Sequence, residues 1–197
     1  MRRLIVNEWM TLDGVVQAPM EPEEDMSGGF RHGGWHMPYT DEAFLSWVEK
    51  GLNDTDAFLF GRQTYEGFAA HWPNAPEEEQ PVARPLNERP KFVASTTLDE
   101  PLQWQNSTLL HGDVAKAVRE VKDGGTGNLR VIGSTQLVQT LIANDLVDEY
   151  QFIIDPVTVG GGKRIFPDDG ALRALDLVDS EVTSTGATIV TYAATRG

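Results

Sequence analysis

The 197-residue chain contains no cysteine. Disulfides, thiolate metal sites and cysteine nucleophiles are excluded with it. Positive charge is scarce: 16 lysines and arginines stand against 30 aspartates and glutamates, a formal net charge of −14. So acidic a chain repels nucleic-acid phosphates and anionic membrane surfaces at long range, which argues against either as a partner. Any anionic ligand must be held by local donors. Long apolar runs are missing as well. Ala57-Phe58-Leu59-Phe60 is among the longest, far short of the ~20 residues a membrane-spanning helix needs. The opening Leu4-Ile5-Val6 is too short for an export signal, so a cytoplasmic setting is expected. No internal repeat and no low-complexity segment is present.

The 40% apolar and 23% charged residues suit an ordinary globular domain. One domain over residues 1–197 is expected, with a full core. Arg3 to Trp9 reads as an opening strand, followed by the turn Thr11-Leu12-Asp13-Gly14. Val15 to Tyr39 is long, irregular and rich in glycine, the composition of a lid or binding loop. Thr40 or Asp41 can cap a helix that Gly51 would stop. Asp56 to Gly61 reads as a buried strand, with a short helix through Tyr65 and Phe68 after it. Asn74 to Pro90 is acidic and proline-rich, which predicts a surface loop.

The second half alternates. Strands are expected at Lys91–Ser95, Thr108–Leu110, Leu129–Ile132 and Glu149–Ile154. Helices capped by Asp113 and Ser134 fall between them. This βαβαβ order predicts parallel strands with right-handed crossovers. Val157 to Phe166 reads as a glycine-rich loop, and Leu172–Val178 and Thr188–Ala193 as closing antiparallel strands.

Three strand ends carry residues suited to phosphate. In Val131-Ile132-Gly133-Ser134-Thr135 an apolar strand meets glycine and a helix begins at once. A helix N-terminus offers unpaired N–H donors and partial positive charge. The plain alternative is a tight turn at Gly133 with Ser134 as a cap. Phe60-Gly61-Arg62-Gln63-Thr64-Tyr65-Glu66 repeats the strand–glycine–helix pattern with an arginine, a good phosphate ligand unless Glu66 holds it. Ser95 and Thr96 end a third strand, where hydroxyls either bind a nucleotide or close a turn. Open α/β sheets bind ligands at the carboxyl ends of their strands. The chain lacks the GxGxxG fingerprint of ordinary dinucleotide folds.

These motifs, in this order, resemble the dihydrofolate-reductase-like superfamily, and within it the reductase domain of the riboflavin-pathway deaminase–reductase. The resemblance rests on Thr11-Leu12-Asp13-Gly14, Gly61 to Glu66, Val131 to Ser134, and Asp148-Glu149 leading to Pro156 and Gly160-Gly161-Gly162-Lys163-Arg164-Ile165-Phe166. It implies an α/β, three-layer fold with a mixed, mostly parallel central sheet, helices on both faces and antiparallel C-terminal strands. It implies NADPH along the strand ends and a small-molecule substrate. Arg62 and Thr64 would hold cofactor phosphates, and Ser95 and Thr96 would lie near the adenosine. Gly133, Ser134 and Thr135 would hold the pyrophosphate, and Val15 and Val16 would flank the nicotinamide. It also implies a homodimer, with the closing strands at the interface. The reductase of the phosphoribosylamino-uracil intermediate of riboflavin synthesis and a pterin-reducing dihydrofolate reductase are the named options. A non-catalytic nucleotide-binding module is the other class.

Asp13, beside the expected nicotinamide site, is the first choice for a substrate-contacting carboxylate, though Asp-Gly is also a common turn pair. Asp41, Glu42 and Glu49 are the carboxylates of the first helix. Lys163 and Arg164 could meet an anionic substrate group. Trp9, Trp35, Tyr65 and Phe152 are candidates for stacking on a flat ring. His32 and His36 lie four apart, but Gly33-Gly34 between them argues against a helical metal site.

Overall fold

The opening strand sets the architecture. In the computed structural model, which describes residues 1–195, β1 spans Arg3–Thr11 and is buried on both sides from Leu4 to Glu8. A strand buried on both faces belongs in a parallel sheet covered by helices. The remaining elements are α1 (Glu42–Asn53), β2 (Ala57–Gly61), α2 (Arg62–His71), α3 (Gln80–Glu88), β3 (Lys91–Ala94) and β4 (Ser107–Leu110). They continue with α4 (Val114–Asp123), β5 (Asn128–Ile132), α5 (Thr135–Ala143), β6 (Glu149–Asp155), β7 (Leu175–Val182) and β8 (Thr188–Ala194). The strands form one sheet in the order β4-β3-β2-β5-β1-β6-β8-β7. The first six run parallel, and β8 and β7 are antiparallel. The carboxyl ends of β3, β2, β5, β1 and β6 therefore line one edge, side by side.

Helices cover both faces, as expected. On one, Val118 of α4 and Leu137, Val138 and Leu141 of α5 pack on Val6, Leu129, Val131 and Phe152. On the other, Leu52, Tyr65 and Leu86 of α1, α2 and α3 meet Phe58, Phe60 and Ile132. Among the described residues, no helix is long and apolar enough to cross a membrane.

Three expectations are corrected. Residues 80–88 are a helix, not a loop. Pro81 stands in its first turn, where a missing N–H costs nothing, and Ala83, Pro85 and Leu86 are buried. Gly51 does not end α1 but lies within it, because a Cβ there would come 3.3 Å from the Arg130 guanidinium. Arg130 is fully buried, donating from Nε to Thr55 Oγ1 (2.7 Å) and from Nη1 to Gln151 Oε1 (2.8 Å). The closing strand begins at Leu175, not at Leu172, which is 97% exposed.

Candidate functional site

The edge where β3, β2 and β5 end gathers the three phosphate-suited turns on adjacent strands. α2 and α5 leave this edge toward opposite faces of the sheet, so their N-termini meet across it. One hydroxyl joins them. Gly61 N donates to Ser134 Oγ (2.8 Å), and Ser134 Oγ donates to Thr64 Oγ1 (2.9 Å).

This corrects the expected role of Ser134. It occupies the N-cap position of α5, but its backbone is left-handed and its side chain makes no capping bond. Gly61, before α2, makes none either. By contrast, α1 and α4 are capped by Asp41 and Asp113, which accept from Phe44 N (2.9 Å) and Lys116 N (2.7 Å). The first turns of α2 and α5 also carry no acidic residue. In so acidic a chain, two uncapped helix starts without a carboxylate make a local positive field. Gly133, at φ +61°, leaves room beside Thr64, whose Oγ1 would sit 3.3 Å from an added Cβ.

Arg62 begins α2 and pairs with Glu66 (3.2 Å), both half-exposed, so its guanidinium is tethered but reachable. Ser95 Oγ accepts from Thr97 N and Leu98 N (both 3.1 Å) and closes a turn, while Thr96 is exposed. Thr135 lies in the first turn of α5, partly exposed.

At the ends of β1 and β6 the picture differs. Asp13 accepts from Thr11 Oγ1 (2.6 Å) and Gly160 N (2.8 Å), clasping the glycine-rich loop to the first turn. These bonds, the Thr11 hydroxyl first, hold its carboxyl below the usual range. At neutral pH it is a fixed anion, not a proton donor. Val15 is fully buried against Phe30 and Trp35. Val16 donates its N–H to Lys163 O (2.9 Å). Lys163 Nζ is paired with Asp25 (2.6 Å) beside an open cleft of about 550 Å³ that Gln17, Arg31 and His32 also line. Arg164 Nε donates to Asp13 O (3.1 Å).

Of the four stacking candidates, three are structural. Trp35 is buried and donates to Gln17 O (2.8 Å). The buried Tyr65 accepts from Trp104 N through its hydroxyl (3.0 Å). Phe152 packs in the core with Tyr150 and Phe166. Trp9 alone stays partly exposed, between Trp47 and His36. On α1, Glu42 and Glu49 are exposed and Asp41 is used as the cap.

Two buried carboxyl groups escaped the sequence reading. Glu8, 2% exposed, stands between Val6 and Met10 on an otherwise apolar strand face, and among the described residues its Oε1 has no partner. Burial pushes its carboxyl well above the usual range. The alternation Val6-Glu8-Met10 was the visible signal. Asp155, at the end of β6, meets His36 Nδ1 at 2.8 Å. No local pattern links residues 119 positions apart. His32 is exposed and takes no part.

Comparison with known proteins adds to this geometry. The family model described as the RibD C-terminal domain matches residues 2–190. The protein YyaP of Bacillus subtilis (strain 168) is 25% identical over 193 residues, covering 97% of this chain and 94% of that one. A putative riboflavin biosynthesis protein from Shewanella sp. PV-4 has a similar structure, with a TM-score of 0.68 at 20% identity, covering 98% and 99% of the two chains. Dihydrofolate reductase from Enterococcus faecalis, solved with NADP(H), has a TM-score of 0.62 at 15% identity, covering 98% and 97%. The likeness to these two is one of fold, and it bears out the dihydrofolate-reductase-like architecture.

Proposed function

The chain belongs to the RibD C-terminal domain family, and from that premise we propose that it is a reductase using NADPH to reduce a small heterocyclic or carbonyl substrate. The family and the reductase fold support the reaction class. One observation carries the cofactor: α2 and α5 start uncapped, free of carboxylates, and bound to each other through Ser134. A dinucleotide diphosphate is the anion such a double start fits.

The N–H groups of Ser134 and Thr135, with the space left by Gly133, would hold the diphosphate. Thr64 and Arg62 would add hydroxyl and guanidinium donors, and Ser95 and Thr96 would lie toward the adenosine. NADPH, when bound, supplies the hydride. The chain's own part is to bind, to orient and to keep water out. Val15, fully buried, belongs to the core beneath the strap and not to a wall of the nicotinamide site, and Trp9 is the surviving aromatic for a flat substrate. Asp13, fixed as an anion, would hold loops in place and not move a proton. Pterin reduction, for which the resemblance to dihydrofolate reductase implies a carboxylate on the first helix serving the pterin ring, is the weaker option, since no carboxylate on α1 is buried.

A fluorescence titration tests this. NADPH should bind and quench, more tightly than NADH. Arg62→Ala should weaken NADPH by about 1.5 kcal/mol, the low end for a charge-assisted bond, because Glu66 already occupies the guanidinium. Ser134→Ala should weaken both nucleotides, since it unlinks the two helix starts. Failure of the wild-type chain to bind either nucleotide would overturn the reading.

A further inference from the structure

Residues 15–39 form a strap that is largely self-contained. Trp35 Nε1 donates to Gln17 O (2.8 Å), Gly34 N to Ala18 O (2.9 Å) and His36 N to Pro19 O (3.0 Å). Gly33 lies so close to the Glu21 and Pro22 carbonyls that a Cβ would fall 2.5 Å from them. The strap holds its shape mainly through its own bonds.

At its two ends Val15 N donates to Thr11 Oγ1 (2.9 Å) and Thr185 Oγ1 donates to Tyr39 O (3.0 Å), and between them lie a partly exposed tie to Lys163 and a fully buried side-chain pair. Lys163 reaches Asp25 (2.6 Å) and, through its N–H, Gln17 (3.1 Å). The buried tie is His36 to Asp155, with both side chains 0% exposed. Beyond their mutual bond they are unsatisfied: among the described residues, His36 Nε2 and Asp155 Oδ1 have no partner. Leaving buried polar atoms unpaired costs about 1–3 kcal/mol each. A pair so placed gives little net stability and much sensitivity to its charge.

The surroundings cannot supply a compensating charge. From β1, Trp9 stands edge-on to the imidazole (6.4 Å), and Thr11 is in register with Asp155. From α1 comes Phe44 (4.5 Å), and from the strap itself Trp35 (6.3 Å). Tyr39 packs at the margin of the same cluster, beside Ile153 and Ile189. The carboxylates flanking these segments are turned away, Asp13 to Gly160 and Asp41 to Ser184. Among the described residues, His36 is the side chain that hydrogen-bonds Asp155.

We propose that the strap 15–39 is a lid latched by the His36–Asp155 pair, shut while the pair carries its proton and released when the proton leaves. With the proton the pair is neutral overall. Without it, a net negative charge is sealed among aromatic rings with one hydrogen bond, and opening the strap restores its hydration. Release would bare Trp9 and the ends of β1 and β6, next to the edge assigned above to the nucleotide. The latch does not depend on which nucleotide binds there.

The direction of the pH effect follows from Asp155. Burial raises its carboxyl above the ordinary range, with His36 pulling it back. The closed strap thus holds the pair's last proton more tightly than the open one, so opening increases with pH from the range in which an exposed imidazole gives up its proton, about 6.5, and then levels off. Hydrogen exchange of strap amides, corrected for the intrinsic rate, reads this without any ligand. Wild-type exchange over 17–39 should accelerate by up to tenfold per pH unit from about pH 6.5 before reaching a plateau. The amides of α4 should not follow. Asp155→Asn, neutral at every pH, should abolish the upward slope, and His36→Gln, which leaves Asp155 as the titrating group, should move its onset down into the carboxylate range. A flat wild-type profile, or an unchanged slope in both variants, overturns the latch.

Discussion

A Gly133→Val variant is expected to fold and to lose NADPH binding by at least about a hundredfold, or ~2.8 kcal/mol. Two causes act together. The residue sits at φ +61°, where a β-branched side chain is strained. Its Cβ would also approach Thr64 Oγ1 at 3.3 Å, inside the space assigned to the diphosphate. The strain costs the fold about 1–3 kcal/mol, so a thermal melt should show a lower but cooperative transition. Gly133→Ala, with less bulk at the same φ, should lie between wild type and valine in affinity. A folded valine variant that binds NADPH normally would move the diphosphate to another part of the edge.

The second large effect concerns Glu8. Its carboxyl is buried on the α4–α5 side of β1, in register beside Phe152, and among the described residues Oε1 has no partner. Burial raises its folded-state pKa, whereas the unfolded chain titrates near the ordinary value of about 4.3. Between those two points the folded chain binds the extra proton. Stability should therefore fall as pH rises from about 4.3, and flatten once the folded carboxyl has also ionised. Glu8→Leu removes both the titration and the unsatisfied oxygen. It should stabilise the chain by about 1–3 kcal/mol at pH 8, and by less at pH 5. Denaturant melts at the two pH values measure this. A leucine variant no more stable at pH 8 than wild type would mean that an unseen partner satisfies Glu8.

What the sequence disclosed and what it hid divide along a physical line. The β5–α5 junction was legible because its parts are contiguous: an apolar strand, a glycine, then a helical stripe of Leu137, Val138 and Leu141. The capping by Asp41 and Asp113 was legible for the same reason. α3 was misread because Pro81 and Pro85 outweighed the buried face of Ala83 and Leu86. β7 was misplaced because most of its side chains are exposed, so burial leaves no alternation to find. Within the candidate site, the residues were visible but their wiring was not. Ser134 looked like a cap; its actual partners, Gly61 and Thr64, lie about seventy positions earlier. Phe152 and Tyr65 looked like ring-stacking residues because nothing local distinguishes a core aromatic from a lining one.

The strand order carries a consequence for how the chain reaches this state. β1 lies between β5 and β6, with Arg3 beside Asn128 and Ile5 beside Glu149. During synthesis β1 has neither hydrogen-bonding neighbour until β5 and β6, more than a hundred residues later, have been made. Parallel pairings between such distant segments make folding slow and leave sticky intermediates.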